Sequence, residues 1–190
     1  MKLFFSILCC LSCGIVFAQE KEKTNNTGQL LVGADVKWYP AGWILGPSVA
    51  YLVSPKQVVS VGIGINLANR KDFSGLNDDE KGTGFGGHVG YRFLFNPTKS
   101  SFFLGARVDL WGLQMDWKDK VGTPQASNGT TRITVFQPTA EIGYWLKLKD
   151  NKWNLLFSGG GGAEINVKTS GKEVGQGGIW LLGVSAFYAL

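Results

Sequence analysis

Asp35, Lys37, Asn66, His88, Arg92, Arg107, Asp109, Glu141, Lys147 and Glu164 are each flanked on both sides by apolar or small residues. In an extended chain that spacing puts the polar side chains on one face and their apolar neighbours on the other. Three kinds of chemistry could use such a set. Opposite charges gathered in an enclosed space pair with one another, because an unpaired buried charge is costly. A charged interior can pass protons or small solutes. A histidine beside a serine and an acid can hydrolyse an ester. This last option is poorly supplied: His88 is the single histidine. No serine lies two residues from it, and Ser60, Ser158 and Ser185 sit low in their tracts or lack a near acid. A lone histidine also argues against a histidine-built metal site. Asp72, Asp78, Asp79 and Glu80 are oxygen-rich but lack the ligand rhythm of a calcium loop. Gly159 to Gly162 lacks the Gly-Lys-Ser/Thr ending of a phosphate loop. No catalytic residue, metal or cofactor is expected, and the chain is not read as an enzyme. The expectation is a packed, mutually paired set of charges, with a narrow proton or solute path as the alternative.

Eight alternating tracts carry these residues. They predict strands at about 29–39, 43–53, 58–68, 84–95, 101–112, 133–148, 153–167 and 178–190. Most slightly exceed the roughly 9–11 residues that a tilted strand needs to cross a bilayer. The third tract is the cleanest, with Val59, Val61, Ile63, Ile65 and Leu67 against Ser60, Gly62, Gly64, Asn66 and Ala68. Ile44, Leu52, Phe103, Trp111, Leu156, Ile179, Leu181 and Phe187 break the rule by falling on the polar face. Pro47 and Pro138 remove ladder donors, which predicts a bulge or register change near each.

The charged face is also the glycine-rich one, too crowded with small residues for a solvated exterior. The other face is nearly free of charge and ends in aromatics. Trp38, Trp43, Phe85 and Trp180 mark one rim, and Tyr51, Phe93, Phe95, Phe102, Trp153 and Tyr188 the other. An aliphatic band between two aromatic girdles suits lipid. The alternative is a soluble sandwich whose apolar face is its core.

Residues 1–18 read as a signal peptide: Lys2, an apolar run from Leu3 to Phe17, and Ala18 before a polar stretch, with cleavage expected after Ala18. Cys9, Cys10 and Cys13 all lie in that leader, so the mature chain has neither disulfides nor thiolate metal sites. Residues 19–28 read as a flexible periplasmic lead-in and 29–190 as the barrel domain. Loss of Lys2 lowers the formal net charge by one from +5. That mild excess is scattered and forms no basic stripe, so nucleic-acid binding is not expected.

The linkers alternate in length. Those after the second, fourth and sixth tracts are short, and those at about 69–83, 113–132 and 168–177 are long. Short turns on one side and long loops on the other are the habit of outer-membrane barrels, with the short turns in the periplasm. With this rhythm, and with the closing amphipathic tract Gly178 to Leu190, residues 28–190 resemble the small eight-stranded outer-membrane β-barrel proteins of Gram-negative bacteria. The resemblance implies an all-β, eight-stranded antiparallel up-and-down transmembrane barrel. It also implies an outer-membrane location, surrounding outer-membrane lipid and a monomer. The last residue departs from it, because the family's final strand typically ends in an aromatic and here Tyr188 precedes Leu190 by two. Met115 and Trp117 in the 113–132 segment are candidates for contact with an extracellular protein or lipopolysaccharide, or else extensions of the rim. A structural or surface-interaction role is expected, with transport through the lumen as one alternative and lipid modification as another.

Overall fold

The computed structural model describes residues 27–70, 76–148 and 152–190. The leader with its cleavage site, most of the 19–28 lead-in and Asp72 fall outside the described residues. Eight strands follow one another: β1 (Leu30–Tyr39), β2 (Gly42–Ser54), β3 (Gln57–Asn69), β4 (Asp79–Leu94), β5 (Ser101–Asp119), β6 (Ser127–Lys147), β7 (Trp153–Ser170) and β8 (Gly177–Ala189). Each pairs antiparallel with the next, and β8 pairs back onto β1 from Leu31↔Ala189 to Trp38↔Leu182. Closure removes the exposed sheet edges that an open sheet would present, and it satisfies backbone groups where no water can.

The period of two holds as the faces require. Ile63, Phe85, Val89, Phe102 and Leu110 point outward and are more than half exposed, while Asp35, Lys37, Arg92, Arg107 and Asp109 are buried within the barrel. Both aromatic rims form, with Trp38 edge-on to Trp180 at 4.7 Å in one and Trp153 edge-on to Tyr188 at 5.2 Å in the other. The rule-breaking apolar residues turn out to be plugs. At the outer end Ile44, Trp111 and Leu181 join Tyr39, Met115, Val135 and Val174 in one buried cluster, with Ile179 packed against it. At the inner end Leu52, Phe103, Leu156 and Phe187 join Leu31, Val58, Leu94 and Trp145 in another. Gly143 is needed there, because a Cβ on it would run into the Phe157 carbonyl and the Phe103 ring. Gly42 makes the tight β1–β2 turn at φ +142°, a region that favours glycine.

Two expectations need correction. The 113–132 segment is not a long loop. β5 and β6 stay paired from Leu113↔Ile133 to Asp119↔Ser127, leaving only 120–126 as the turn. The reason is that parity persists while its meaning inverts. Below Gly112, β5 turns apolar side chains outward and Arg107 and Asp109 inward; above it, Leu113 and Met115 are buried while Gln114, Asp116 and Lys118 are exposed. The ladder has left a region with an apolar surround for one surrounded by water.

The second correction concerns the prolines. Pro47 pairs with Ala34 and Pro138 with Val108, with no step in either register. Proline's fixed φ lies close to extended backbone, so each costs one donor rather than an inserted residue. On their other side the ladder lapses at both, with Pro47 unpaired to β3 and Pro138 unpaired to β7. The register steps fall between Leu52 and Ser54 on β2 and, three residues from Pro138, between Thr134 and Val135 where β6 meets β7.

Candidate functional site

The lumen is layered. Between the two apolar plugs lies a layer of three bases and three acids: Lys37, Arg92 and Arg107 with Asp35, Asp109 and Glu141, all buried. β1 and β6 bring Lys37 to Glu141, where its Nζ donates to Oε1 at 2.7 Å and to Ser158 Oγ at 2.7 Å. Gly183 makes room for the Lys37 stem, which a Cβ there would strike. From β4, Arg92 donates to Ser60 Oγ at 3.0 Å and to Glu141 Oε2 at 3.5 Å. Its guanidinium also lies 5.8 Å above the Phe103 ring of the inner plug. Arg107 and Asp109 share one face of β5, two residues apart, and form a two-pronged bridge at 2.8 and 2.7 Å. Two hydrogen bonds fix the planar guanidinium more firmly than one would. Asp35 completes the layer, 3.8 Å from Arg107 Nη1 and 3.4 Å from His88 Nε2.

A second polar layer lies above, beneath and among the outer plug. Arg70 bridges to Glu164 and stands 3.6 Å from Glu80 Oε2. Glu164 also accepts from Gln137 Nε2 at 2.8 Å, and Gln137 accepts from Trp111 Nε1 at 3.1 Å. Glu80 accepts from Asn77 Nδ2 at 2.7 Å and from the Gly175 amide at 3.1 Å, which ties the β7–β8 connection to β4. Tyr39 donates to Asn66 Oδ1 at 2.6 Å.

Of the predicted lumen residues, Asp35, Lys37, His88, Arg92, Arg107, Asp109 and Glu141 therefore meet in one layer, and Asn66 and Glu164 belong to the layer above. Lys147 does not join either. Its half-buried ammonium lies at the inner mouth and donates to the Pro97 carbonyl at 2.6 Å. Its parity is inward, but the barrel ends there and the nearest acceptor is a turn carbonyl. Met115 is also corrected as an outer contact candidate. It is fully buried in the outer plug, and Trp117 is partly buried against the same cluster with Lys172 Nζ 4.5 Å above its ring. Above the polarity switch, inward is the apolar direction.

Arg70, Asn77, Glu80 and Gln137 are lumen residues that the sequence alone did not single out. Glu80 shares parity with Gly82, Gly84, Gly86 and His88, a signal hidden by its acidic neighbours Asp78 and Asp79. Arg70 closes its bridge from the position just after β3, where no alternation marks it. Among the described residues, no group of three or more His, Cys, Asp or Glu is placed to hold a metal ion.

No protein-family model matches the chain, and no curated protein sequence does. Solved structures do. A major outer membrane protein from Thermus thermophilus is 13% identical, with a TM-score of 0.52 over 86% of this chain and all of that one (100%). Neisserial surface protein A is 14% identical over 84% of this chain and 95% of that one, with a TM-score of 0.49. The N-terminal β-barrel domain of Pseudomonas aeruginosa OprF is 16% identical over 85% and 98%, with a TM-score of 0.44. At such identities the likeness is one of fold. The fold defines the class: this is the eight-stranded up-and-down barrel of small outer-membrane proteins. The exposed aliphatic band between two aromatic rims, with charges turned inward, is the surface such a barrel presents to lipid.

Proposed function

We propose that the protein sits in the outer membrane as a monomeric barrel with a structural and surface-interaction role, worked by its outer hairpins, and that it neither conducts nor catalyses. One observation carries this reading: a charge-balanced layer sealed between two apolar clusters. Eight strands leave an interior only wide enough for side chains to fill. A permeating ion would have to displace paired charges and then pass Phe103 and Trp145 at one end or Trp111 and Met115 at the other. What stands out toward water is the paired β5–β6 hairpin, where Gln114, Asp116, Lys118 and Arg132 are exposed.

Planar-bilayer recording of the purified barrel tests this. The expected result is no steady conductance, for the native protein or for Glu141→Gln. Steady conductance that changes with that substitution would replace the reading with the transport one. Mass measurement of the membrane-extracted protein, expected to begin at Gln19, tests the leader.

A further inference from the structure

A broad groove lies on the outside of the wall at the outer rim, across β1 to β6, with a volume of about 1120 Å³. Its lower part is apolar, bounded by Trp43, Leu67 and Phe85, of which Trp43 and Phe85 are 48% and 77% exposed. Its upper part is polar, with Lys81, Gln114 and Arg132. The depression has a plain cause. Phe85, Gly112 and Thr134 are cross-strand partners on the outward face, and the central one has no side chain. A Cβ on Gly112 would meet nothing closer than the Phe85 carbonyl at 3.9 Å.

The charges of the groove are not all spent within the protein. Lys81 is 3.7 Å from Asp79 Oδ2, with the lysine side chain 60% exposed. Asp116, paired across from Lys81, is held by the Thr130 hydroxyl at 2.6 Å. Arg132 is exposed and has no ion pair among the described residues. Lys81 and Arg132 stand on either side of β5, so their backbones are about 12 Å apart, two inter-strand spacings and one two-residue step. Two long basic side chains at that separation can close on one phosphate between them, above the Gln114 amide.

We infer that this groove holds one anionic, phosphate-bearing lipid of the surrounding leaflet. Its phosphate lies between Lys81 and Arg132, and its acyl stem lies over Gly112 between Trp43, Leu67 and Phe85. The amphipathic lining selects a lipid over a soluble anion, since the apolar half has no use for free phosphate. The inference rests on the membrane-embedded reading, which a heat-modifiable gel shift checks separately.

The test uses the folded barrel in nanodiscs of phosphatidylcholine with a minor share of phosphatidylglycerol, released and weighed by native mass spectrometry. The native protein is expected to carry one phosphatidylglycerol. Each basic residue near a membrane surface contributes about 1 kcal/mol, so Lys81→Gln with Arg132→Gln should weaken the lipid affinity on the order of 25-fold, read as the share of phosphatidylglycerol needed for half retention. Lys56→Gln with Lys99→Gln removes the same charge at the opposite end and should leave retention intact. Gly112→Leu fills the floor with both charges in place and should also release the lipid. Equal retention by the Lys81/Arg132 variant, equal loss by the Lys56/Lys99 control, or displacement of the lipid by inorganic phosphate alone would each overturn the inference.

Discussion

Glu141 is the hinge of the charged layer. It takes Lys37 at 2.7 Å and Arg92 at 3.5 Å, with both bases about 1% exposed. At an effective dielectric constant near 20, charges at those distances attract by about 6 and about 5 kcal/mol. Much of that attraction only offsets the cost of stripping water from three charges. Glu141→Gln keeps the size of the side chain and some of its hydrogen bonding, but leaves three buried cations, Lys37, Arg92 and Arg107, against only Asp35 and Asp109. Breaking a buried pair by removing one partner costs about 3–5 kcal/mol, and that is the expected loss. Lys37→Met alone leaves Glu141 with Arg92 and should cost less. The two changes should couple, so that the double variant is less destabilised than the sum of the singles. Reversible urea unfolding in lipid vesicles, read by tryptophan fluorescence and by gel shift, measures all three. A Glu141→Gln loss below about 1 kcal/mol, or strict additivity, would mean that the layer is hydrated and its charges do not hold one another as the distances imply.

Two further expectations follow from the outer end. Residues 19–190 contain no cysteine, so single cysteines placed in a chain that begins at Gln19 report cleanly on exposure. Asp116→Cys should react within minutes with a membrane-impermeant maleimide on intact cells, while Met115→Cys, one residue away and fully buried, should not. Equal labelling would refute the inverted polarity of the β5–β6 hairpin. Near the tip of the β5–β6 hairpin Lys172 Nζ donates to Asp119 Oδ2 at 2.7 Å, and this bond holds the Asp119 carboxyl below its ordinary value. A depressed carboxyl adds its stabilisation above the unfolded-state value and loses it as the pH falls through the folded one. The contact should therefore persist at neutral pH and open only under acid conditions. An NMR titration should place Asp119 below an ordinary aspartate, with Lys172→Gln bringing it back up.

The strands were legible because a pleat forces a period of two and a membrane makes the two faces chemically unlike. The charged layer was legible for the same reason, down to Asp35, Lys37, Arg92, Arg107, Asp109 and Glu141. The plugs were visible only as apparent violations. Phe103 and Trp111 look misplaced if the lumen is taken as polar throughout. A cylinder this narrow needs polar pairing only where charges are present, and it closes its ends with whatever packs. Arg70 was hidden because it follows the end of β3 and its partner Glu164 is on distant β7, a contact no local spacing encodes. Gln137 was hidden because an uncharged amide among Phe136 and Pro138 carries no signal of its own, although Trp111 and Glu164 are on the adjacent strands. Met115 was misjudged because 113–132 was read as a loop: the strand pattern of apolar residues facing outward holds only where the surround is lipid, so its reversal past Gly112 looked like the end of the strand.

That limit can be turned into a measurement of where the lipid ends. Three successive cross-strand rows on β4 to β7 show it. The lowest, Gly87, Leu110, Phe136 and Ile165, carries no polar side chain outward. The highest, Thr83, Gln114, Arg132 and Ser170, carries only polar ones. The middle row runs Phe85, Gly112, Thr134, Lys168, and changes from apolar to charged along its length. Such a gradient is what a tilted barrel requires. Strands inclined at roughly 35–45° carry each cross-strand row obliquely to the membrane plane, by about 3 Å of height per strand. The middle row therefore leaves the hydrocarbon as it passes from β4 to β7, and the boundary lies within one two-residue repeat, about 7 Å of strand. The groove containing Gly112 sits on that crossing. Its half-apolar, half-basic lining thus matches the depth at which a lipid changes from acyl chain to phosphate.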